Sequence, residues 1–204
     1  MIIKYLGHSS FYLRGARFSV VTDPFSDIGY ELERVKADFC TVSHGHYDHD
    51  NVSGVDVRNV IRSSEHGFLA IKTYHDARSG ALRGENTVFK FEMDGIEFCH
   101  MGDVGEYCST ELVEQIGETD VLFIPVGGNY TIDYREAINY VEAIKPKIVI
   151  PMHYKTRSCT IDIDGVEKFA KRIAGVERTG REIEIFKESL PDERVVYIMD
   201  NGEF

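Results

Sequence analysis

The sequence predicts an α/β protein in which helices cover a core of two β-sheets. In the first half of the chain, short apolar segments rich in β-branched residues alternate with turns, as is typical of strands joined by hairpins. In the second half, helical patterns precede short apolar strands, which is typical of crossover connections. Because no Pro- or Ser-rich linker separates the two halves, we expect one domain that spans residues 1–204.

Length and composition are those of a domain that needs no covalent cross-links. A chain of 204 residues with 43% hydrophobic residues can bury a sizeable core without disulfides. The four cysteines form no C-x-x-C pair, and Cys40 and Cys99 lie in apolar runs, so we expect buried reduced thiols. The formal net charge of −11 argues against a large nucleic-acid footprint, although a dication bound in a cleft would override the local field.

The N-terminus shows no targeting segment, because Met1 to Lys4 run directly into a strand-like stretch without an apolar signal core. No apolar run approaches the ~18 residues that a membrane-spanning helix requires. We therefore expect a soluble cytoplasmic protein that does not bind membranes.

The strands of the first half are predicted from apolar segments bounded by turn residues. They cover residues 2–6, 11–14, 17–22, 37–42, 59–62, 68–74, 87–92 and 96–101. Gly15 marks a hairpin, and Asp94-Gly95 predicts a type I′ turn between the last two strands. Residues 27–36 are rich in turn residues and then predict a helix, whereas residues 76–86 have no periodicity and predict a loop.

In the second half, the predicted helices cover residues 109–116, 133–144 and 164–174. The predicted strands cover residues 121–124, 148–150, 182–186 and 195–199, with Pro191 in the turn between the last two. Alternating helices and strands of this kind favour a layer of helices packed on a sheet.

The segment His44-Gly45-His46-Tyr47-Asp48-His49 is the most informative part of the chain. It directly follows a predicted buried strand, where Gly45 allows a sharp turn, and Asp48 with Asn51 predicts a helix start. His44 and His46 would then face one point, while Asp48 and His49 face a neighbouring one. Neutral imidazole nitrogens and carboxylate oxygens are ligands that suit a divalent transition metal. A metal site is therefore favoured over a polar surface loop of solvated histidines.

Other histidines and acids recur where predicted strands end: His8, Asp23, His75, Asp103 and His153. Strand ends that face one rim of a sheet would bring these side chains to the histidine-rich segment. The loop at residues 76–86 would then cover them.

These motifs resemble those of the metallo-β-lactamase superfamily. The resemblance rests on His44-x-His46-x-Asp48-His49, on Met101-Gly102-Asp103 and on Pro151-Met152-His153-Tyr154. Three further segments, Gly7 to Phe11, Thr22 to Phe25 and Pro125 to Asn129, resemble the short branch that includes L-ascorbate-6-phosphate lactonase-like proteins and uncharacterised metal-dependent hydrolases.

The resemblance implies an αββα sandwich, in which two mixed sheets are covered by helices on both outer faces and two metal ions lie at one edge. It implies His44, His46 and His75 as ligands of one ion, Asp48, His49 and His153 as ligands of the other, and Asp103 as a bridge. The ions would be divalent transition metals, with zinc expected and manganese or iron as alternatives. For the third histidine of the first ion, His66 and His100 compete with His75; His66 lies in a predicted surface turn and His100 suits the cleft lining.

Four further residues are candidates for roles around the metals. Asp23 is expected to accept a hydrogen bond from the far nitrogen of a liganding imidazole, or else only forms the turn before a proline. His8 is expected either to face the cleft as a proton donor or substrate contact, or to be a structural histidine. Gly128 and Asn129 belong to a glycine-rich loop that either binds an oxyanion or phosphate or only reverses the chain.

The implied reaction is hydrolysis by a metal-activated hydroxide, with Asp48 orienting the water or taking its proton. The expected partner is a small molecule, an anionic ester, lactone or phosphodiester, with Arg78, Arg83, Lys155 and Arg157 as candidate anion-binding residues. Alternatives are a nuclease, for which the chain has no room for an RNA-binding arm, and a redox or non-catalytic di-metal module. A homo-oligomer is a further expected partner, because two chains of this kind can pair so that together they complete the cleft.

Overall fold

The computed structural model of the protein describes residues 1–202, in which thirteen strands and three α-helices are formed. The strands are β1 (Ile2–Gly7), β2 (Ser10–Arg14), β3 (Ser19–Thr22), β4 (Lys36–Thr41), β5 (Asp56–Ile61), β6 (Leu69–Tyr74), β7 (Glu85–Met93), β8 (Ile96–His100), β9 (Val121–Pro125), β10 (Ile148–Met152), β11 (Val176–Thr179), β12 (Glu182–Glu184) and β13 (Val195–Met199). The helices are α1 (Thr110–Ile116), α2 (Tyr134–Ile144) and α3 (Glu167–Ala170). Short 3-10 helices form at Val52–Gly54 and Lys187–Ser189.

The strands form two mixed sheets, as predicted. The first has six strands in the order β12-β1-β2-β3-β4-β5, antiparallel from β12 to β3 and parallel from β3 to β5. The second has seven strands in the order β11-β13-β10-β9-β8-β7-β6, antiparallel among β6, β7 and β8 and parallel elsewhere. The sandwich of two mixed sheets expected from the sequence is therefore confirmed.

Side-chain alternation along the strands separates the core into layers. On β9, Val121 and Phe123 belong to the apolar layer between the two sheets, whereas Leu122 and Ile124 belong to the layer beneath the helices. Since successive residues of a strand point to opposite faces, a continuous apolar run can serve both layers. The apolar run of β9 is typical of a strand buried on both sides, and the structure contains such a strand there.

The two outer faces are covered differently. All three α-helices contribute apolar residues to the layer on the second sheet. On the outer face of the first sheet, a smaller apolar cluster is completed by Leu32, Val35 and the 3-10 helix Val52–Gly54 rather than by an α-helix of the described chain. Helices on both outer faces, implied by the resemblance, are therefore present on one face only in residues 1–202.

The expected helix within residues 27–36 is wrong, because this segment contains no helix. Asp27 and Gly29 adopt left-handed backbone angles, φ 55° and 101°, which a right-handed helix cannot contain. The helix start expected at Asp48 and Asn51 yields only the 3-10 turn Val52–Gly54, since the Asn51 side chain makes no capping hydrogen bond there.

The helices α1 and α2 confirm the predicted segments at 109–116 and 133–144. Each begins after a side-chain cap: Ser109 accepts from the Leu112 amide, and Asp133 accepts from those of Arg135 and Glu136.

Two elements of the C-terminal part differ from expectation. The predicted helix at 164–174 is reduced to α3, which spans Glu167–Ala170. The strand β11 (Val176–Thr179) was missed, because it pairs with β13 alone at the sheet edge and is largely exposed. An edge strand needs few apolar residues, so its sequence carries little strand signal.

Two smaller expectations are confirmed. The β7–β8 hairpin closes at Asp94 and Gly95 with φ values of 53° and 76°, the left-handed pair that a type I′ turn requires. Cys40 and Cys99 are buried free thiols. Among residues 1–202, none of the helices is long and apolar enough to cross a membrane.

Candidate metal centre

The polar strand ends of both sheets meet at one edge of the sandwich. Each predicted residue or segment begins within three residues of the carboxyl end of a strand: His8 after β1, Asp23 after β3, His44–His49 after β4, His75 after β6, Asp103 after β8 and His153 after β10. The first three strands belong to the first sheet and the last three to the second. The site is therefore built by the packing of the two sheets against each other.

Asp103 is the centre of this arrangement. Its Oδ1 lies 3.1 Å from His49 Nε2. Its Oδ2 lies 3.2 Å from His75 Nε2 and 3.1 Å from His153 Nε2. A single buried carboxylate thus faces imidazoles from both sheets.

The remaining candidates fall into two groups on either side of Asp103. The three-histidine cluster comprises His44, His46 and His75. The buried cluster comprises His8, Asp48, His49 and His153. Within each cluster, one donor atom from every side chain lies within 4.8 Å of the others, which is the spacing of ligands around one ion.

The far nitrogens of three imidazoles are anchored by the protein. His49 Nδ1 lies 2.8 Å from Asp23 Oδ2, and His75 Nδ1 lies 3.0 Å from the Tyr130 carbonyl. His44 Nδ1 lies 3.0 Å from Ser43 Oγ. When Nδ1 donates to an oxygen, Nε2 keeps its lone pair, so these anchors leave each Nε2 free to bind a metal.

Asp23 confirms the hydrogen bond expected of it. Besides the His49 imidazole, it accepts the Ser43 amide at 2.8 Å and the Ser43 hydroxyl at 2.6 Å. Burial acts to raise the pKa of Asp23, but the hydrogen bond from His49 and the nearby His100 hold this pKa below its ordinary value. The carboxylate therefore stays ionised and orients His49 directly and His44 through Ser43.

The side chains fit divalent metal ions, on an observation independent of sequence motifs. His44 Nε2 is buried without a hydrogen-bond partner, and the buried atoms His49 Nε2 and Asp103 Oδ1 have only each other, 3.1 Å apart, without a well-directed hydrogen bond. Buried polar atoms almost always have partners, so orphans that converge on one point indicate a missing ligand. Burial lowers the pKa of His44 to about 3, with His49 adding to the shift, so this imidazole is in the neutral form that binds metals.

Two features hold Asp103 in place: the side chain of Asn86 and the backbone conformation of Gly102. Asn86 Oδ1 accepts the Asp103 amide at 2.8 Å, and Asn86 Nδ2 donates to the Met101 carbonyl at 2.9 Å. Gly102 adopts φ +54°, and a Cβ there would meet Asn86 and lie 2.6 Å from Ser43 Cβ. Only glycine fits this left-handed position, which turns the chain so that Asp103 faces the imidazoles.

Asp48 lies where the buried cluster meets the open cavity. Its Oδ2 is 3.3 Å from His8 Nε2 and 3.7 Å from His49 Nε2, and the side chain also lines the cavity described below. Burial acts to raise the pKa of Asp48, but the neighbouring imidazoles of His8 and His49 hold it well below the ordinary value.

The structure brings His75 to the metal centre and neither of its competitors. His66 is exposed and packs against Phe39 with ring centroids 5.7 Å apart. His100 is buried, but its Nε2 bonds the Ser9 carbonyl at 2.9 Å and its Nδ1 accepts from the Gly102 amide. The ring of His100 lies 4.0 Å from Asp23 and supports the site from behind. The role of His75 as a ligand stays a prediction that this geometry favours.

The glycine-rich loop does not offer the free N–H groups expected of it. The amides of Gly128, Tyr130 and Thr131 all donate to carbonyls within the loop, and the Asn129 side chain donates to the Asp162 carbonyl at 2.7 Å. The anion-binding role of Gly128 and Asn129 stays a prediction that this geometry does not favour, because the loop's own turns and the Asp162 carbonyl already use these groups. The loop instead presents the Tyr130 carbonyl to His75.

A cavity of about 550 Å³ opens beside the two clusters. His46, Asp48, Asp103 and His153 line its floor, and Tyr47, Leu82, Arg83, Tyr130 and Ile161 line its walls. The predicted loop at residues 76–86 thus reaches the site. Asp76 fixes that loop by accepting four amides, those of Arg78, Gly80, Leu82 and Arg83, at 2.7–3.2 Å.

Ser43, Asn86 and Tyr130 are the functional residues that the sequence reasoning missed as parts of this site. Ser43 directly precedes His44, and Asn86 is a polar residue at the start of the apolar strand β7. Both residues have polar side chains that could have been considered from the sequence, but the prediction used the histidine and aspartate motifs instead. The contribution of Tyr130 is a backbone carbonyl, which no side-chain pattern reveals.

Comparisons with known proteins agree with this geometry. Residues 2–153 match the family described as the beta-lactamase superfamily domain. A metal-dependent hydrolase of Carboxydothermus hydrogenoformans is 31% identical, over an alignment that covers 76% of this chain and 85% of the relative. A similar protein of Archaeoglobus fulgidus, also named a metal-dependent hydrolase, is 30% identical, with coverage of 76% and 84%.

Solved structures show the same fold. A candidate Zn-dependent hydrolase of the metallo-β-lactamase superfamily from Thermotoga maritima is 36% identical and superimposes with a TM-score of 0.81, covering 97% of each chain. The metallo hydrolase Igni18 of Ignicoccus hospitalis is 19% identical, with a TM-score of 0.67 over 99% of this chain and 96% of that one, and shows the fold alone.

A two-sheet sandwich with histidines and carboxylates gathered at one edge defines the class, that of metal-dependent hydrolases. Within that class, the chain belongs to the metallo-β-lactamase superfamily, through its beta-lactamase superfamily domain. The resemblance drawn from the sequence motifs is confirmed.

Proposed function

We propose that this hydrolase works with two divalent transition-metal ions, one held by the three-histidine cluster and one by Asp48, His49 and His153. Asp103 would bridge them. The observation that carries the proposal is the position of Asp103, whose two oxygens lie 3.1–3.2 Å from imidazoles on either side of it. Histidine nitrogens and carboxylate oxygens suit zinc, with manganese or iron as alternatives.

When bound, such ions supply Lewis acidity, which brings the pKa of water at the site near neutrality and neutralises charge that develops on the scissile group. The residues of the chain supply positioning and proton transfer. The Asp48 carboxylate is kept ionised and faces the cavity, so it would orient the attacking water or accept its proton.

The cavity supports a small substrate with an anionic group. A volume of about 550 Å³ suits a small molecule. Arg83 stands at the wall with its guanidinium 5.4 Å from the centre of the Tyr130 ring, where it could bind a carboxylate or phosphate. Tyr47 and Leu82 are 56% and 61% exposed at the same wall, which favours a substrate with an apolar part.

A small ester, lactone or phosphodiester meets these requirements. Among these, the resemblance of the sequence to the lactonase-like branch favours a lactone. A nucleic-acid substrate is less suited. Among the described residues that line the cavity, Arg83 is the only lysine or arginine, whereas a backbone-tracking groove needs several. Lys155, a candidate from the sequence, donates to the Ile161 carbonyl at 2.7 Å.

The test is a substrate screen with protein stripped of metal and then reconstituted with zinc, manganese or iron. Lactones, thioesters and phosphodiesters that carry one anionic group should be hydrolysed by the reconstituted protein and left intact by the stripped one. Metal analysis should find about two ions per chain. Turnover by the stripped protein equal to that of the reconstituted protein would refute the proposal, as would saturation of the active protein at one ion.

A further inference from the structure

His8 is aimed into the metal centre by an irregularity in the first sheet. The pairing of β1 with β2 shifts register between Tyr5 and Gly7, which is a bulge at the end of β1. Gly7 follows with φ +124°, a position where a Cβ would lie 2.7 Å from the Tyr30 ring. A bulge of this kind redirects the next side chain out of the regular alternation, and here that side chain is His8.

The backbone of His8 is held in a conformation that a non-glycine residue rarely adopts. Its φ is 53°, and that of His153 is 51°. The two turns are joined, since the His8 carbonyl accepts the His153 amide at 3.1 Å and the Tyr5 hydroxyl at 3.1 Å. Left-handed backbone at a bulky residue is strained, and it persists where the surrounding structure holds it and the side chain has a function.

The imidazole of His8 has no partner that would explain its burial. The residue is 1% exposed, and Nδ1 makes no hydrogen bond with another described group, while Nε2 has only the Asp48 carboxylate nearby, at 3.3 Å from Oδ2. A structural histidine bonded to a loop carbonyl, one of the two expectations from the sequence, would look different.

The spacing around His8 is that of ligands on one ion. Its Nε2 lies 3.3 Å from Asp48 Oδ2, and its ring centre lies 4.2 Å from that of His153. Two ligands bound tetrahedrally at 2.0–2.1 Å from the same ion are about 3.4 Å apart. One donor atom from each of the four side chains lies within 4.8 Å of the others, so the buried cluster has the spacing of a four-ligand set around one ion.

We propose that His8 is a metal ligand, which completes the buried cluster with Asp48, His49 and His153. The assignment rests on the proposed function, because it concerns the second of the two proposed ions. It makes the buried ion the more fully coordinated of the two and leaves open positions for water and substrate to the three-histidine cluster.

The test compares metal binding by His8→Asn and His8→Gln with that of the unmodified protein. Asparagine tolerates left-handed backbone, and glutamine places an amide nitrogen close to the former Nε2, where it can still hydrogen-bond Asp48. Chelator competition should show that both variants lose more than about 100-fold in affinity for one ion, beyond the 10–100-fold typical of residues that only orient a ligand. The other ion should remain bound.

The matched control is His66→Asn, because His66 also has left-handed backbone, with φ 50°, but is exposed. It should bind both ions as the unmodified protein does. A smaller loss in either His8 variant, or rescue by glutamine, would show that His8 only orients Asp48 and would overturn the assignment.

A measurement on the unmodified protein covers variants that do not fold. Protein labelled with ¹⁵N-histidine and loaded with ¹¹³Cd should show a cadmium–nitrogen coupling at the His8 ring, and its absence would overturn the proposal. Failure of the proposed function looks different: the unmodified protein would then saturate with one ion or none. Two ions without a coupling at His8 would leave the proposed function intact and remove only this inference.

Discussion

The two halves of the metal centre differ in their access to water. In the three-histidine cluster, His46 is exposed, His44 is half-buried and only His75 is buried. All four side chains of the buried cluster are buried. A ligand set that water reaches exchanges its ion more easily and can admit a substrate, whereas a buried set retains its ion. The comparison assigns access to one half and retention to the other.

The halves also differ in backbone geometry. His8 and His153 in the buried cluster have left-handed φ values of 53° and 51°, while His44, His46 and His75 have ordinary negative φ. Strained backbone is maintained by the surrounding fold, so the buried half is pre-formed by the sandwich. The three-histidine cluster relies instead on hydrogen bonds from Nδ1, to Ser43 for His44 and to Tyr130 for His75.

Metal removal should have the largest effect and should separate the two halves in time. A chelator should abolish hydrolysis completely when the first ion leaves, and that ion should come from the three-histidine cluster because this cluster is exposed. Stopped-flow metal release followed with a coloured indicator should show two phases, with activity lost in the faster one. One phase for both ions, or activity that survives the fast phase, would contradict the assignment of access and retention.

The substitution Asp48→Asn should come next. It keeps the shape of the side chain but removes the group that accepts a proton at the cavity floor, so kcat should fall by about 10²–10⁴-fold. Metal analysis of the same sample should still show an ion in the three-histidine cluster, to which Asp48 does not belong. If turnover on the reconstituted protein's substrate stays at the unmodified level, Asp48 has no such role.

Asp23→Asn and Ser43→Ala form a graded pair. Asp23 holds His49 directly and His44 through Ser43, so Asp23→Asn should weaken the buried ion by about 10–100-fold and the exposed ion less. Ser43→Ala should weaken only the exposed ion, because His49 keeps its hydrogen bond to Asp23. Competition titration measures the affinity for each ion in both variants. An equal loss of affinity for both ions in Ser43→Ala would show that the two clusters are not oriented independently.

The smallest effect should come from Arg83→Gln. The side chain lies at the cavity wall and outside both clusters, so KM for an anionic substrate should rise about 10-fold while kcat and metal content stay unchanged. A neutral analogue of the same substrate is the control and should show no change. A fall in kcat with unchanged KM would place Arg83 in the reaction itself.

The sequence was most informative where function depends on local order along the chain. Each candidate ligand lies in the loop that follows a strand, so apolar runs and the residues after them were enough to predict that the ligands meet at one edge. The two mixed sheets followed from the same runs. What could not be predicted depends on contacts across the fold, such as the Tyr130 carbonyl on His75, 55 residues away in the chain, and Asn86 on Asp103, 17 residues away.

Conformational detail was equally inaccessible to a reading of residue types. The sequence placed His8 only where a predicted strand ends, but the bulge and the left-handed turn that aim its side chain depend on Tyr30 and His153 packing nearby. The helix expected within residues 27–36 failed for a related reason: Asp27 and Gly29 have left-handed backbone, and Gly29 lies so close to the Ser158 carbonyl that a Cβ would not fit. Tertiary context decides such positions.

The origin of the site from both sheets has a consequence for how the chain is made. Asp103 and His153 lie on the second sheet, and the imidazole of His49, 3.1 Å from Asp103, lies on the first. During synthesis, strands β1 to β5 of the first sheet leave the ribosome well before β10 does, so His44 to His49 are made before their partner His153. The complete centre forms only after the sheets have docked. We therefore expect metal ions to bind late, to an assembled sandwich, rather than to act as a template for its first folding steps.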